Sequence, residues 1–257
     1  MTTNETRPDI LDKTRAPSLL NARAAPRHVE PPPSAYNHPH PDPLEILWSD
    51  KWLIAVNKPA NELSVPGKAP LNKHSTQQRT AAAEGRALVI HRLDGATSGI
   101  LLFARNPWVQ KCMHRHWRAH WVQKTYCAIV EGFLPNQLGT IHLPLATDWP
   151  NRPRQHLNWV TGKASTTHWR KLPLGFTPNF PCSRLMLIPV TGRTHQLRVH
   201  LQSFAHPILG DRLYHPNASD STSIRGLTSR LHLHASTLRF RHPITGKAIC
   251  LIAQPPF

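Results

Sequence analysis

The stretch His91-Arg92-Leu93-Asp94-Gly95-Ala96-Thr97-Ser98-Gly99-Ile100-Leu101-Leu102-Phe103-Ala104 places a carboxylate in a turn of small residues and follows it with an unbroken apolar run. Such a run, bounded by Gly99 and by Asn106-Pro107, reads as a strand buried on both faces. A turn just ahead of that strand holds Asp94 at the mouth of a sheet, where small neighbours leave room for a substrate. The plainer reading is that Asp94 only caps the turn by accepting local N–H groups, and spacing alone leaves the two readings level.

Upstream, Trp52–Val56 reads as a short strand closed by Asn57-Lys58-Pro59, and the folded pattern begins at Leu44–Trp48. Downstream, Asn106-Pro107 opens a helix running to about His120, on which Trp117 and Trp121 share a face at i, i+4. Tyr126–Val130, Thr140–Leu143, Ala164–Arg170, Arg184–Pro189 and the alternating Leu231–Phe240 read as further strands. Thr194–Phe204 spaces Leu197, Leu201 and Phe204 as a helix does, with Thr194 as its cap. Little apolar periodicity marks Lys68–Arg86, which leaves a helix there undecided. Strands outnumber helices without alternating with them. That predicts an α+β fold with a mixed, largely antiparallel sheet flanked by helices and loops. No GxGxxG or GxxxxGKS/T stretch is present, so a nucleotide cofactor has no support.

The chain has 257 residues, and its 31 Lys and Arg against 14 Asp and Glu give a net charge of +17. Residues 1–44 hold nine prolines and balanced charges without periodicity, and are expected to form a disordered, proline-stiffened tail. All of the +17 therefore belongs to residues 45–257, with 26 basic and nine acidic side chains. A body so charged repels itself unless it has a polyanionic partner. Nucleic acid is the first expectation, and an anionic membrane surface is demoted because no basic amphipathic helix stands out. No apolar run approaches the ~20 residues of a membrane helix, and no secretory signal is apparent. Cys112, Cys127, Cys182 and Cys250 form no CxxC pair and read as reduced, mostly buried thiols of a cytosolic protein.

Only nine carboxylates are available in the body for acid, base or nucleophilic work, and most sit beside ordinary turn residues. Asp94 is the one with a distinctive setting. The second dense segment is Thr191-Gly192-Arg193-Thr194-His195-Gln196-Leu197-Arg198-Val199-His200. Arg193, at a strand–helix junction, could reach a carboxylate in a neighbouring loop and favour its charged form. Arg198 and His200 read as solvated residues of a surface helix. Histidine is abundant at 18, but the pairs His38/His40, His114/His116 and His232/His234 lack the further ligands at matched spacing that a zinc site needs, so no metal site is expected. His232 and His234 read as a surface feature or an RNA contact. Trp108, Trp117 and Trp121 amid Lys111, His114, Arg115 and Arg118 offer a stacking platform for bases, but are rather expected to pack inward, with the neighbouring cations outward toward RNA phosphates.

His91-Arg92-Leu93-Asp94 with Thr97-Ser98-Gly99, then Thr191–Leu201 (TGRTHQLRVHL) and His206–Asp211 (HPILGD), resemble in the same order the RluA family of RNA pseudouridine synthases. Asn57-Lys58-Pro59 before Ser64-Val65-Pro66-Gly67 is similar to that family's first motif, although Asn61-Glu62 stands where the family usually has glycine. Asn61 tolerates left-handed backbone, so the turn is expected to survive. The resemblance runs from about residue 44 to the C-terminus and lacks the S4 RNA-binding domain that many members carry.

What the resemblance implies is specific. The fold would be the pseudouridine synthase catalytic fold, and the activity an isomerisation of uridine in RNA that needs no metal or other cofactor. Asp94 matches the family's essential aspartate, Arg193 the basic residue paired with it, and Tyr126 the tyrosine that stacks on the target base. Arg92 matches the arginine that enters the RNA stack, and Leu197 the apolar residue near the base; His91 and Thr97, on the same loop, are expected with these two among the substrate-binding residues. Asp148–Gln155 with Thr161-Gly162-Lys163 points within the family to synthases acting on a tRNA anticodon-loop uridine and a 23S rRNA uridine. A cytosolic monomer is expected. The rivals are a non-catalytic RNA-binding or ribosome-assembly protein of the same fold and a metal-dependent nuclease.

Overall fold

Strand β4 (Ser98–Ala104) is buried along its whole length and organises the molecule, as its apolar run predicts. The computed structural model describes residues 42–67, 74–175, 180–215 and 230–257; the predicted tail up to residue 41, the His38/His40 pair and Asp220 lie outside them. β1 (Glu45–Ser49) pairs antiparallel with β2 (Leu53–Lys58), which pairs antiparallel with β4. The short β3 (Leu88–Val89) also joins β4.

Beyond β4 the sheet continues through β11 (Leu233–Arg241), β5 (Gln123–Glu131), β10 (Cys182–Pro189), β9 (Thr166–Leu172) and β6 (Leu138–His142). β12 (Ala248–Ile252) pairs with the later part of β11. Every pairing is antiparallel except β4 with β11, so the sheet is mixed and largely antiparallel, as expected. A separate hairpin, β7 (Leu145–Thr147) with β8 (Gln155–Leu157), stands beside it. β3, β7 and β8 are too short to show in the sequence pattern, and the five-residue β12 escapes it although its AICLI run is apolar.

The parallel join is where glycine is required. Gly99 lies at φ +111°, and a Cβ there would meet the Ala235 carbonyl oxygen at 2.4 Å. Only glycine lets β4 and β11 come together at Ala235↔Gly99.

Among the described residues three helices pack on the sheet: α1 (Thr76–Glu84), α2 (Pro107–Arg118) and α3 (Gln196–Ser203). α1 resolves the undecided segment: Ser75 caps it and Gly85 ends it. The Asn106 side chain accepts from the Val109 N–H at 2.9 Å and Pro107 opens α2, so its start follows the prediction. Its end does not. The helix stops at Arg118 and His120 turns left-handed (φ 57°), which takes Trp121 off the shared face and into solvent. Trp108 is also exposed, so among the three only Trp117 turns inward. Thr194 does not cap α3 either: His195 holds the cap position at φ 52° with no side-chain bond, and the Gln196 side chain takes the Arg193 N–H instead.

The core divides at the middle of the sheet. Leu53, Ala55, Ile100 and Leu102 pack with Val109 and Met113 of α2, while Ile54, Val56, Leu101 and Phe103 fill the opposite face. A second core joins Ala128, Val130, Leu185 and Leu187 to Leu197 and Leu201 of α3. Tyr126 packs against both the second core and the face of Leu101 and Phe103, at the seam between the halves.

Candidate active site

A cavity of about 690 Å³ opens at that seam. The Asp94 loop, β5 and the turn entering α3 form its walls, and Asp94, Tyr126, His91, Arg92, Thr97, Arg193 and Leu197 all line it. The sequence-selected residues, scattered over a hundred positions, therefore meet in one place.

The loop is held from beneath. Thr97 donates its N–H to the Asp94 carbonyl at 3.1 Å and is itself buried. The fully buried Lys58 donates through Nζ to the carbonyls of Pro59 (2.7 Å), Glu62 (2.6 Å) and Gly95 (3.0 Å), tying β2 to the residue after Asp94. Burial pushes the Lys58 amine down to about 7, with Glu62 and Asp94 opposing the shift. Asn61 adopts the left-handed conformation (φ 59°), so the turn survives there as expected. The His91 ring stacks on Trp117 at 4.5 Å, and its Nε2 accepts the Leu102 N–H. Burial, aided by Lys124, drives this imidazole down to about 3. His91 thus serves the wall as a neutral brace to β4.

The cation beside Asp94 is Arg198, not Arg193. Arg198 Nη1 lies 3.5 Å from Asp94 Oδ2, while its Nε and Nη2 donate to the two Asp211 oxygens at 2.8 Å each. Its side chain is 2% exposed and that of Asp211 1%, whereas Asp94 is 28% exposed toward the cavity. Arg193 stands exposed at the cavity rim, and no ion pair joins it to Asp94 among the described residues. The physical reason is helix geometry: side chains lean toward a helix's N-terminus, and Arg198, two residues inside α3, leans back over the loop that holds Asp94. Arg193 precedes the left-handed turn at His195 and stays outside. The expectation of a solvated α3 face falls with it, because Gln196 through Leu201 are all buried.

Burial would lower the Arg198 guanidinium, but Asp211 and then Asp94 outweigh it and raise it above its ordinary value. Burial likewise works against the Asp211 carboxylate, yet Arg198 and the Leu213 and Tyr214 N–H groups hold it below its usual range. This buried fork leaves one guanidinium edge for Asp94.

Sequence reasoning also missed a chain of hydrogen bonds. The Gln155 N–H of β8 donates to Tyr214 Oη at 2.8 Å, and that hydroxyl meets His195 Nδ1 at 2.7 Å. Burial raises the Tyr214 phenol, with the Gln155 bond and Arg198 opposing, so it keeps its proton. That proton points to Nδ1. Burial lowers His195, so the imidazole is neutral with its own proton on Nε2, 3.8 Å from Asp94 Oδ2. Nothing in the local sequence distinguishes His195 or Tyr214; only the fold brings them to Asp94. Tyr126 is raised by burial and by the Asp94 charge, and is therefore protonated at neutral pH.

The histidine pairs are absorbed elsewhere. His234 is buried, bonding Ser98 Oγ at 2.8 Å and facing the Ala253 carbonyl, which corrects its reading as a surface residue. His232 stacks on Phe257 at 4.6 Å. Cys112, Cys127 and Cys182 are buried free thiols, and Cys250 is an exposed one.

Residues 52–203 match the sequence profile of the RNA pseudouridylate synthase family. The chain is 42% identical over 223 residues to the dual-specificity RNA pseudouridine synthase RluA of Haemophilus influenzae, covering 86% of this chain and 98% of that protein. This chain belongs to the RluA family of RNA pseudouridine synthases. The Escherichia coli dual-specificity RNA pseudouridine synthase RluA is 38% identical over 222 residues, again covering 86% of this synthase and 98% of that protein. The solved structure of human RNA pseudouridylate synthase domain containing 1 superposes with a TM-score of 0.69 at 27% identity, covering 83% of this synthase and 84% of that chain. The α+β architecture is thus that of pseudouridine synthases. No described helix of the synthase is long and apolar enough to cross a membrane.

Proposed function

We propose that this RNA pseudouridine synthase acts on uridines in structured loops, in tRNA anticodon loops and in 23S rRNA, with Asp94 as the group that opens the glycosidic bond. The observation that carries the reading is the Asp94 carboxylate, exposed to the cavity yet anchored from behind by the buried Arg198–Asp211 fork. The dual specificity that the names of the relatives state, together with the resemblance carried by the Asp148–Gln155 segment, supports the two RNA classes.

Isomerisation breaks N1–C1′, turns the uracil, joins C5 to C1′, moves the C5 proton to solvent and returns a proton to N1. No oxidant or co-reactant is consumed. A stacked base cannot turn, so the nucleotide leaves the stack at a cost of a few kcal/mol. Arg92, exposed at the rim, enters the space left behind and pairs with phosphate. Leu197 and the Tyr126 ring hold the uracil in the cavity, as an apolar wall and a stacking face. Because the Tyr126 phenol is protonated, it takes part in C5 deprotonation by passing its own proton onward as it accepts one. Arg198, not Arg193, is the basic partner of Asp94, and the Nε2–H of His195 faces the same carboxylate. Arg193 binds RNA phosphate at the rim. The synthase works as a monomer in the cytoplasm, where both RNA classes are found.

The test is tritium release from RNA labelled at uridine C5, comparing the intact protein with Asp94→Ala. Release by the parent from tRNA and from 23S rRNA, and none by the variant, is expected. Equal release by both would remove Asp94 from the reaction. Tight binding with no release by the parent would favour the non-catalytic reading.

A further inference from the structure

The β7–β8 hairpin carries an exposed aromatic platform that the isomerisation chemistry does not use. At its tip Trp149 is 67% exposed, and the Arg152 guanidinium lies 4.7 Å from its ring centroid. The cation covers one face of the indole, and the exposure leaves the other to solvent. The tip is ordered by its own bonds. Asp148 N–H donates to the Arg154 carbonyl (3.0 Å), Arg154 N–H to the Asn151 carbonyl (3.0 Å), and the Asn151 amide meets both Asp148 oxygens at 3.0 Å. The one acid of the tip is therefore occupied, while the Arg152 guanidinium lies against the indole.

The platform is also fixed relative to the reacting carboxylate. Pro153, next to Arg152, lines the same cavity as Asp94 and Arg92. The hairpin's root is pinned by the Gln155–Tyr214–His195 chain, whose far end faces Asp94. The Arg154 guanidinium lies over the Tyr214 ring at 5.5 Å. A flat ring with an open face, with a cation against its other face and on a tip whose Pro153 lines the cavity, is shaped for a nucleobase and its phosphates.

We infer that Trp149 is a docking site for a nucleobase flanking the target uridine, with Arg152 and Arg154 holding the adjoining phosphates. The inference rests on the RNA-modifying reading above and extends it to a specific contact. An unpaired loop nucleotide is the occupant, because a base inside a duplex has no free face to offer. A protein partner fits less well, since the body carries an excess of positive charge and Pro153 of the same tip lines the RNA cavity.

Two readouts on the full chain separate this contact from the activity: the Kd of a fluorescent stem-loop RNA with loop uridines, and tritium release from the same RNA. Trp149→Ala is expected to raise Kd and KM about tenfold or more, as loss of one base–aromatic stack does, with kcat changed less than about twofold. Trp149→Phe restores most of the affinity, because it keeps a stacking face. Trp108→Ala removes an equally exposed indole (59%) from the start of α2, away from the cavity wall, and leaves both readouts unchanged. Parental affinity in Trp149→Ala, or an equal loss in Trp108→Ala, overturns the inference while the activity reading stands. A loss of affinity in Trp149→Ala alone, with no tritium release even by the parent, upholds the platform and overturns the activity reading.

Discussion

The Arg198 guanidinium touches two carboxylates with unequal surroundings: Asp211 is sealed in, and Asp94 opens to the cavity. Removing it would strand Asp211 without its cation, and breaking one side of a buried pair costs about 3–5 kcal/mol. Arg198→Ala is therefore expected to lower the urea unfolding free energy by about that amount and to abolish tritium release. Arg198→Lys keeps the charge but not the fork, so it should fold more stably than the alanine variant and still turn over slowly. Arg193→Ala is expected to stay within about 0.5 kcal/mol of the parent, as exposed substitutions do, and to weaken RNA binding with kcat preserved. Loss of turnover in Arg193→Ala with intact RNA affinity would return the pairing role to that residue.

At the scale of elements, the decisive join is between β4 and β11, the single parallel strand pairing among the described residues of the sheet. It brings the end of the Asp94 loop against the strand that neighbours Tyr126, through Ala235↔Gly99 and Ala235↔Tyr126. Ser98 Oγ and His234 Nδ1 lock it at 2.8 Å. A methyl at Gly99 would overlap the Ala235 backbone in a backbone conformation that also strains any L side chain. Gly99→Ala should therefore lower the thermal midpoint by several degrees, the expected response to a loss of a few kcal/mol, and reduce kcat more than RNA affinity. An unchanged midpoint would show that β11 can shift without harm, and that the close approach does not hold the site together.

For the whole molecule, buried histidines set the acid limit. Burial takes His91 down to about 3, and His232 and His234 to about 4, against an ordinary value near 6.5. Arg230 adds to the lowering of the last two, while the Ala253 carbonyl opposes it for His234. Between these values and pH 6.5 the unfolded chain binds protons that the folded chain refuses. Their contribution to stability is complete above about pH 6.5 and is lost as pH falls toward 4 and then 3. The urea midpoint should drop steadily between pH 7 and pH 4.5, and replacing His234 by Gln should make that drop shallower. A midpoint independent of pH over this range would mean that the three imidazoles accept protons in the folded state.

Much of this was written in the order of residues. The apolar Ile100–Ala104 run dictates a strand buried on both faces, and Asn106-Pro107 dictates a helix start, whereas the turn alone leaves the exposure of Asp94 open. The strand and the helix start are local consequences of side-chain volume and capping, so sequence alone determines them, and the ordered motifs around them carry the family. The partners of Asp94 are another matter. Arg193 and Arg198 lie in one short motif, and neither local charge nor periodicity separates them. The choice comes from the left-handed turn at His195 and from the burial of α3 on every side, which aim Arg198 at Asp94 and leave Arg193 in water. Tyr214 and Gln155 likewise gain their link to His195 only because the hairpin and the turn after Asp211 pack together. Tertiary structure decided these contacts because each joins groups far apart in sequence, and only the closed sheet fixes the distances between them.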